Sequence, residues 1–108
     1  MIHQITVREV KAKLDAGIPL VFVDVRQPEE YAICRLPGGI LIPLGDLQHR
    51  AGELDVPNDI AVVVYCHHGV RSLSGAYILQ QAGIENVASM AGGIDAWSVV
   101  VDSSVPRY

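Results

Sequence analysis

Apolar residues in this chain gather in short unbroken runs, and amphipathic stretches lie between them. Leu20-Val21-Phe22-Val23-Asp24-Val25 and Ile60–Tyr65 are continuous runs of strand length. Runs of that kind suit strands buried on both faces of a parallel sheet. Val87-Ala88-Ser89-Met90 and Ile40-Leu41-Ile42, the latter closed by Pro43, predict two shorter strands. Helical patterns alternate with these runs. Thr6-Val7-Arg8-Glu9 has the form of a capping box, Val7, Val10 and Leu14 share one face, and Gly17 stands where the helix would end, which predicts a helix over residues 7–16. Gln27-Pro28-Glu29-Glu30-Tyr31 predicts a short helix with proline and acids in its first turn. Leu44–Ala51, Ser72–Ala82 with Gly83 beyond it, and Ile94–Val100 after the Gly92-Gly93 break complete the helices. Alternation of strand and helix predicts an α/β domain of three layers, with a mainly parallel central sheet flanked by helices.

Composition narrows the class without changing that picture. The 108 residues are 50% apolar and 19% charged, which fits one globular domain spanning 1–108. No apolar run approaches the ~20 residues of a membrane span, and the first five residues lack the basic start and apolar stretch of a secretion signal. A cytoplasmic, reducing setting is the expectation, with Cys34 and Cys66 as free thiols rather than a disulfide. The acidic balance (pI near 5.4) and the lack of a Lys/Arg cluster argue against nucleic acid as partner.

The chemistry concentrates in Val62-Val63-Val64-Tyr65-Cys66-His67-His68-Gly69-Val70-Arg71-Ser72. A buried strand delivers a cysteine into a tight turn, and a helix begins at once. There the thiol would face backbone N–H groups at a helix N-terminus, where partial positive charge favours the thiolate. Gly69 permits the tight turn. Arg71 adds a permanent positive charge, and His67 and His68 can add more. The segment Ile60–Ile84 contains none of the twelve acidic residues in a chain of net charge −4. These features describe a reactive cysteine facing an anion, beyond the carboxyl end of a central strand, where α/β sheets hold their ligands.

Four pieces, in order, carry a family resemblance: Asp24-Val25-Arg26-Gln27-Pro28-Glu29-Glu30-Tyr31, Leu36-Pro37-Gly38-Gly39-Ile40-Leu41-Ile42-Pro43, Cys66-His67-His68-Gly69-Val70-Arg71-Ser72 and Gly92-Gly93-Ile94-Asp95-Ala96-Trp97. The chain resembles the rhodanese domain, a sulfurtransferase module, over nearly its full length. That resemblance implies a three-layer rhodanese-like fold and a persulfide on Cys66. It implies a small anionic sulfur donor such as thiosulfate, bound by the loop from His67 through His68, Gly69, Val70 and Arg71 to Ser72. The acceptor would be cyanide, a thiol or a protein, with no cofactor and no metal. Four residues separate Cys66 from Arg71. Cysteine phosphatases of related architecture have a longer loop, so the shorter one favours sulfur over phosphoryl transfer. Asp102–Tyr108 also resembles the end of rhodanese modules fused to enzymes that adenylate sulfur carriers. A sulfur relay or a partner-binding module is therefore the alternative function. The pattern departs at Cys34-Arg35-Leu36, where many members carry a histidine, and at Gly39, where alanine is commoner.

Other residues have plainer readings. Cys34 could resolve a persulfide, but a packed thiol near a turn is the simpler expectation. Asp24 and Arg26 are expected to form a structural ion pair or loop anchor. Trp97 is expected to anchor the last helix in the core. The spacing of Cys66, His67 and His68 matches no usual zinc pattern. His3, His49, Asp55, Asp59 and Glu85 read as surface residues.

Overall fold

The computed structural model describes residues 2–108. Five strands form one sheet: β1 (Gln4–Ile5), β2 (Leu20–Asp24), β3 (Ile40–Leu41), β4 (Ala61–Tyr65) and β5 (Val87–Met90). Their order across the sheet is β1-β5-β4-β2-β3, and every neighbouring pair is parallel. The helices are α1 (Val7–Asp15), α2 (Pro28–Ile33), α3 (Leu44–Arg50), α4 (Arg71–Gln81) and α5 (Gly93–Val100), with a 3₁₀ turn at Ala51–Glu53. The α/β class and parallel sheet are those expected from the pattern. No helix among the described residues is long and apolar enough to cross a membrane.

The strand pleat divides the core into two layers. Val63 and Tyr65 of β4 join Phe22, Val10, Met90, Ile94 and Trp97 in the cluster beneath α1 and α5. Val62, Val64 and Cys66 join Val23, Leu47, Ala76 and Leu79 beneath α3 and α4. Trp97 is thus a core residue, as expected. The capping box of α1 forms in full: Thr6 N–H donates to Glu9 Oε1 at 3.0 Å, and Glu9 N–H to Thr6 Oγ1 at 3.1 Å. Such a cap contributes about 1 kcal/mol.

Strand β1 escaped the sequence pattern. Two residues carry no alternation, and this strand exists only because Gln4 and Ile5 pair with Ser89 and Met90. Helix α4 also begins one residue earlier than expected, at Arg71. These additions leave the site unmoved. β2 and β4 lie side by side in register, yet β2 leads through α2 outward to β3, whereas β4 leads through α4 the other way to β5. Their carboxyl ends therefore flank the switch point of the sheet, the place where open α/β sheets form a crevice. Arg26 follows one strand there, and Cys66 the other.

Candidate active site

Cys66 is the first residue beyond β4, and its side chain is only 1% exposed. Two backbone donors point at its sulfur: Gly69 N–H at 3.1 Å and Ser72 N–H at 3.3 Å. Together they form an anion-holding concavity, able to support negative charge on Sγ or on a sulfur attached to it. Below it, the thiol reaches Ser72 Oγ at 3.5 Å, and Ser72 Oγ lies 2.7 Å from Ser89 Oγ. Both hydroxyls are fully buried, so β5 supplies a polar floor to the loop through a serine inside an otherwise apolar run.

Two glycines make this approach possible. Gly69 has φ +95, and a Cβ there would stand 2.8 Å from the Gly92 nitrogen. Gly93 opens α5 at φ +62, where a Cβ would come within 2.5 Å of the Cys66 carbonyl oxygen and closer still to that of His67. The absence of that Cβ lets the first turn of α5 bond the loop from outside. Ile94 N–H donates to the Cys66 carbonyl at 2.9 Å, and Asp95 N–H to the His67 carbonyl at 3.1 Å. The loop is held by its own amides at the sulfur and by α5 at its carbonyls. Gly93→Ala is expected to destabilise the protein by about 2 kcal/mol or more, because backbone atoms must move as well as φ. Gly17→Ala, at φ +74 with nothing within 4 Å, carries the φ strain alone and should cost only about 1 kcal/mol. Equal losses in thermal unfolding would contradict this account of Gly93.

Arg71 does not lean on the sulfur. Its guanidinium forms a two-pronged bond with Glu30 of α2, at 2.6 and 2.8 Å. Arg71 holds the Glu30 carboxyl down at about 2, against the upward push of burial, and Tyr108 helps. Tyr108 Oη donates to Glu30 Oε2 at 2.7 Å and accepts from Arg26 Nη1 at 2.9 Å. Arg26 in turn grips Asp24 through Nε at 2.9 Å and Nη2 at 2.7 Å, with both side chains fully buried. It also donates to the Cys34 carbonyl at 2.6 Å. Burial works against the Arg26 charge, but the bonds to Asp24 and Tyr108 outweigh it and leave its proton more tightly held than usual. The expected Asp24–Arg26 pair is thus present as the root of a chain that runs to the cysteine loop.

The Glu30 pair has a definite acid window. Its carboxyl titrates near 4.5 when free and at about 2 when paired, so the pair's stabilisation is complete above 4.5 and disappears as the pH falls through about 2. Glu30→Gln should flatten the acid-unfolding curve across that interval. An unchanged acid limb in the variant would dissociate Glu30 from acid stability.

His67 lies in a stack, with its ring centroid 3.8 Å from that of His68 and 3.8 Å from that of Tyr108. Burial, then the nearby His68, pull its proton affinity below the ordinary histidine value. Its Nε2 is the one buried side-chain polar atom without a hydrogen-bond partner among the described residues. His68 Nε2 lies 3.9 Å from Asp95 Oδ2, and Asp95 is bonded to Arg107 at 2.9 Å. Donor atoms of His67, His68 and Asp95 all fall within 4.8 Å of one another. Of the described residues they come nearest to a cation site. However, the histidine planes are stacked 28° apart, so their in-plane lone pairs run side by side rather than converging, and Asp95 is already neutralised by Arg107.

The fold brings Cys66, Gly69 and Ser72 together at one sulfur. It turns Arg71, His67 and His68 outward onto partners, and leaves Val70 at the rim, 74% exposed. Cys34 is buried beside Arg26, whose Nη1 is 3.9 Å from its sulfur. The acid-free neighbourhood expected from Ile60–Ile84 does not persist in space, because α2 delivers Glu30 and α5 delivers Asp95. Sequence reasoning also passed over Ser89, Gly93 and Tyr108 as parts of the site. For Gly93 there was a signal, the Gly-Gly pair at a helix start; for Ser89 and Tyr108 there was none in local pattern.

A parallel sheet with a cysteine cradled by two amides at its switch point defines the class of this α/β protein. The rhodanese-like domain family model matches residues 6–99, and the chain belongs to that family. It is 35% identical over 96% of its length to a probable adenylyltransferase/sulfurtransferase, MoeZ, of Mycobacterium tuberculosis, of which it spans 26%. A sulfurtransferase of Allochromatium vinosum is 32% identical, covering 91% of this chain and 90% of that protein. Among solved structures, a thiosulfate sulfurtransferase of Pseudomonas aeruginosa superposes with a TM-score of 0.84 at 33% identity, over 98% of this chain and 20% of the other. The chain therefore spans about a quarter of the length of the MoeZ relative it matches.

Proposed function

We propose that this protein is a sulfurtransferase in which Cys66 carries the transferred sulfur. The convergence of the Gly69 and Ser72 amides on Sγ supports this reading above all. In the first half-reaction the Cys66 thiolate attacks the outer sulfur of thiosulfate. The bond between the two thiosulfate sulfurs breaks, and sulfite leaves with the electron pair. The new terminal sulfur is anionic, and the loop amides from His67 to Ser72 are its donors. In the second half-reaction cyanide or a thiolate attacks that sulfur, the Cys66 S–S bond breaks, and the thiolate returns. Two separate displacements give ping-pong kinetics. Neither step needs a cofactor or a metal. The Arg71–Glu30 pair argues against phosphoryl transfer, since an arginine spent on a carboxylate is not free to grip a phosphoryl group.

A second reading draws on the likeness to MoeZ. There the same Cys66 chemistry serves a relay, receiving sulfur from a protein persulfide and passing it to a protein acceptor of a sulfur-carrier pathway in the cytoplasm. Intact-protein mass spectrometry tests both. One sulfur (~32 Da) gained from thiosulfate and removed by cyanide supports the first reading. Gain only from a persulfidated protein donor supports the second, and gain from neither defeats both.

A further inference from the structure

Tyr108 touches His67 of the cysteine loop directly, and Arg107 and Tyr108 are linked to His68 and Arg71 through one intervening carboxylate each. Tyr108 stacks on His67 with planes only 7° apart. Its hydroxyl pins Glu30, which holds Arg71. Arg107 bonds Asp95 through Nε at 2.9 Å and Nη2 at 3.3 Å, and Asp95 faces His68. The Ser98 hydroxyl donates to the Val105 carbonyl at 2.6 Å and seats the segment on α5. Through Arg26, Tyr108 is also rooted in the fully buried Asp24 pair. Meanwhile Cys66 is 1% exposed, so no donor reaches its sulfur unless the loop opens.

We propose that Arg107 and Tyr108 clasp the cysteine loop, and that Tyr108 is the positioning residue that governs how readily a sulfur donor reaches Cys66. The inference rests on the sulfur-transfer reading for its purpose, but its geometry is independent of it. Loop opening is a local event whose frequency follows the contacts that must break. Tyr108 supplies three such contacts, and they differ in kind. The ring stack is apolar, the bond to Glu30 passes to Arg71, and the bond from Arg26 ties the clasp to the core. Tyr108→Phe keeps the stack and removes both hydroxyl bonds, whereas Tyr108→Leu removes all three. Arg107→Gln releases only the Asp95–His68 side. A clasped loop also admits a small donor such as thiosulfate more easily than an aryl thiosulfonate, which delivers the same outer sulfur with an arylsulfinate as leaving group.

The test is the rate of Cys66 alkylation by iodoacetamide in the absence of any donor, with peptide mapping to separate Cys66 from Cys34. Tyr108→Leu should raise the Cys66 rate about ten-fold over wild type, with Tyr108→Phe and Arg107→Gln between them. The His67 titration read by NMR should move up towards the ordinary histidine value in Tyr108→Leu, as the covering ring is lost and the neighbouring His68, Glu30 and Asp95 remain. In turnover, the kcat/KM ratio of aryl thiosulfonate to thiosulfate should rise in the same order. A Cys66 alkylation rate within about two-fold of wild type in all three folded variants would overturn the clasp. If Tyr108→Leu does not fold, Tyr108→Phe and Arg107→Gln decide on the same criterion. Because alkylation needs no sulfur donor, a wild type that takes up no sulfur defeats the functional reading and leaves this result standing.

Discussion

Cys66→Ser is expected to abolish sulfur transfer from thiosulfate to cyanide, with a loss of at least about a thousand-fold in kcat, while the fold survives. The hydroxyl is close in size to the thiol, and the Gly69 and Ser72 amides retain an acceptor to bond. A serine oxygen at neutral pH is a poor nucleophile, however, and cannot hold a sulfane sulfur for a second displacement. The variant should therefore fail in both half-reactions and show no added sulfur by mass. Cys34→Ser should keep most of the activity, because Cys34 packs against Arg26 rather than on the loop. Turnover by Cys66→Ser within ten-fold of wild type would sink the persulfide mechanism. A total loss with Cys34→Ser in a folded protein would make the second thiol a participant.

The largest expected effect on stability comes from Arg26→Leu. Both Asp24 and Arg26 are fully buried, and the guanidinium serves a carboxylate, two backbone carbonyls and the Tyr108 hydroxyl. Removing it strands a carboxylate in the core and leaves the Cys34 carbonyl without this donor. Breaking a buried pair from one side costs about 3–5 kcal/mol, a large share of the ~5–15 kcal/mol that holds a domain of this size together. The double variant Asp24→Leu/Arg26→Leu should recover part of that loss, since no charge is then left unpaired. Urea unfolding midpoints measure both. A loss below about 1 kcal/mol in Arg26→Leu would mean that the carboxylate finds water or a proton easily, and that the pair does not anchor the clasp as described.

Local order in this molecule follows short-range chemistry, and that much could be read from the chain. Thr6 and Glu9 bond each other three residues apart, so the start of α1 is written in four letters. The continuous apolar runs of β2 and β4 have no polar face to offer water, so they must lie inside a covered, parallel sheet. Cys66, Gly69 and Ser72 are near neighbours in sequence, and a tight turn entering a helix is enough to aim two amides at one sulfur. For that reason the cysteine and its amide cradle were legible in the chain, as was the Asp24–Arg26 pair at the end of β2.

What the tertiary structure decided lies far apart along the chain. Glu30 meets Arg71 across 41 residues, and Tyr108 meets Arg26 across 82. No periodicity or spacing encodes such meetings. They arise because β2 and β4 are neighbours at the switch point and because Ser98 seats the closing segment on α5. Strand β1 depends in the same way on β5, being too short to declare itself. The sequence by itself determined the class of fold, the place of Cys66 beyond β4 and the turn whose amides face it, because these rest on burial and on contacts within a few residues. Only the packed structure determined what Arg71, His67 and His68 hold, because a long flexible side chain goes to whichever opposite charge or aromatic face the topology brings within reach.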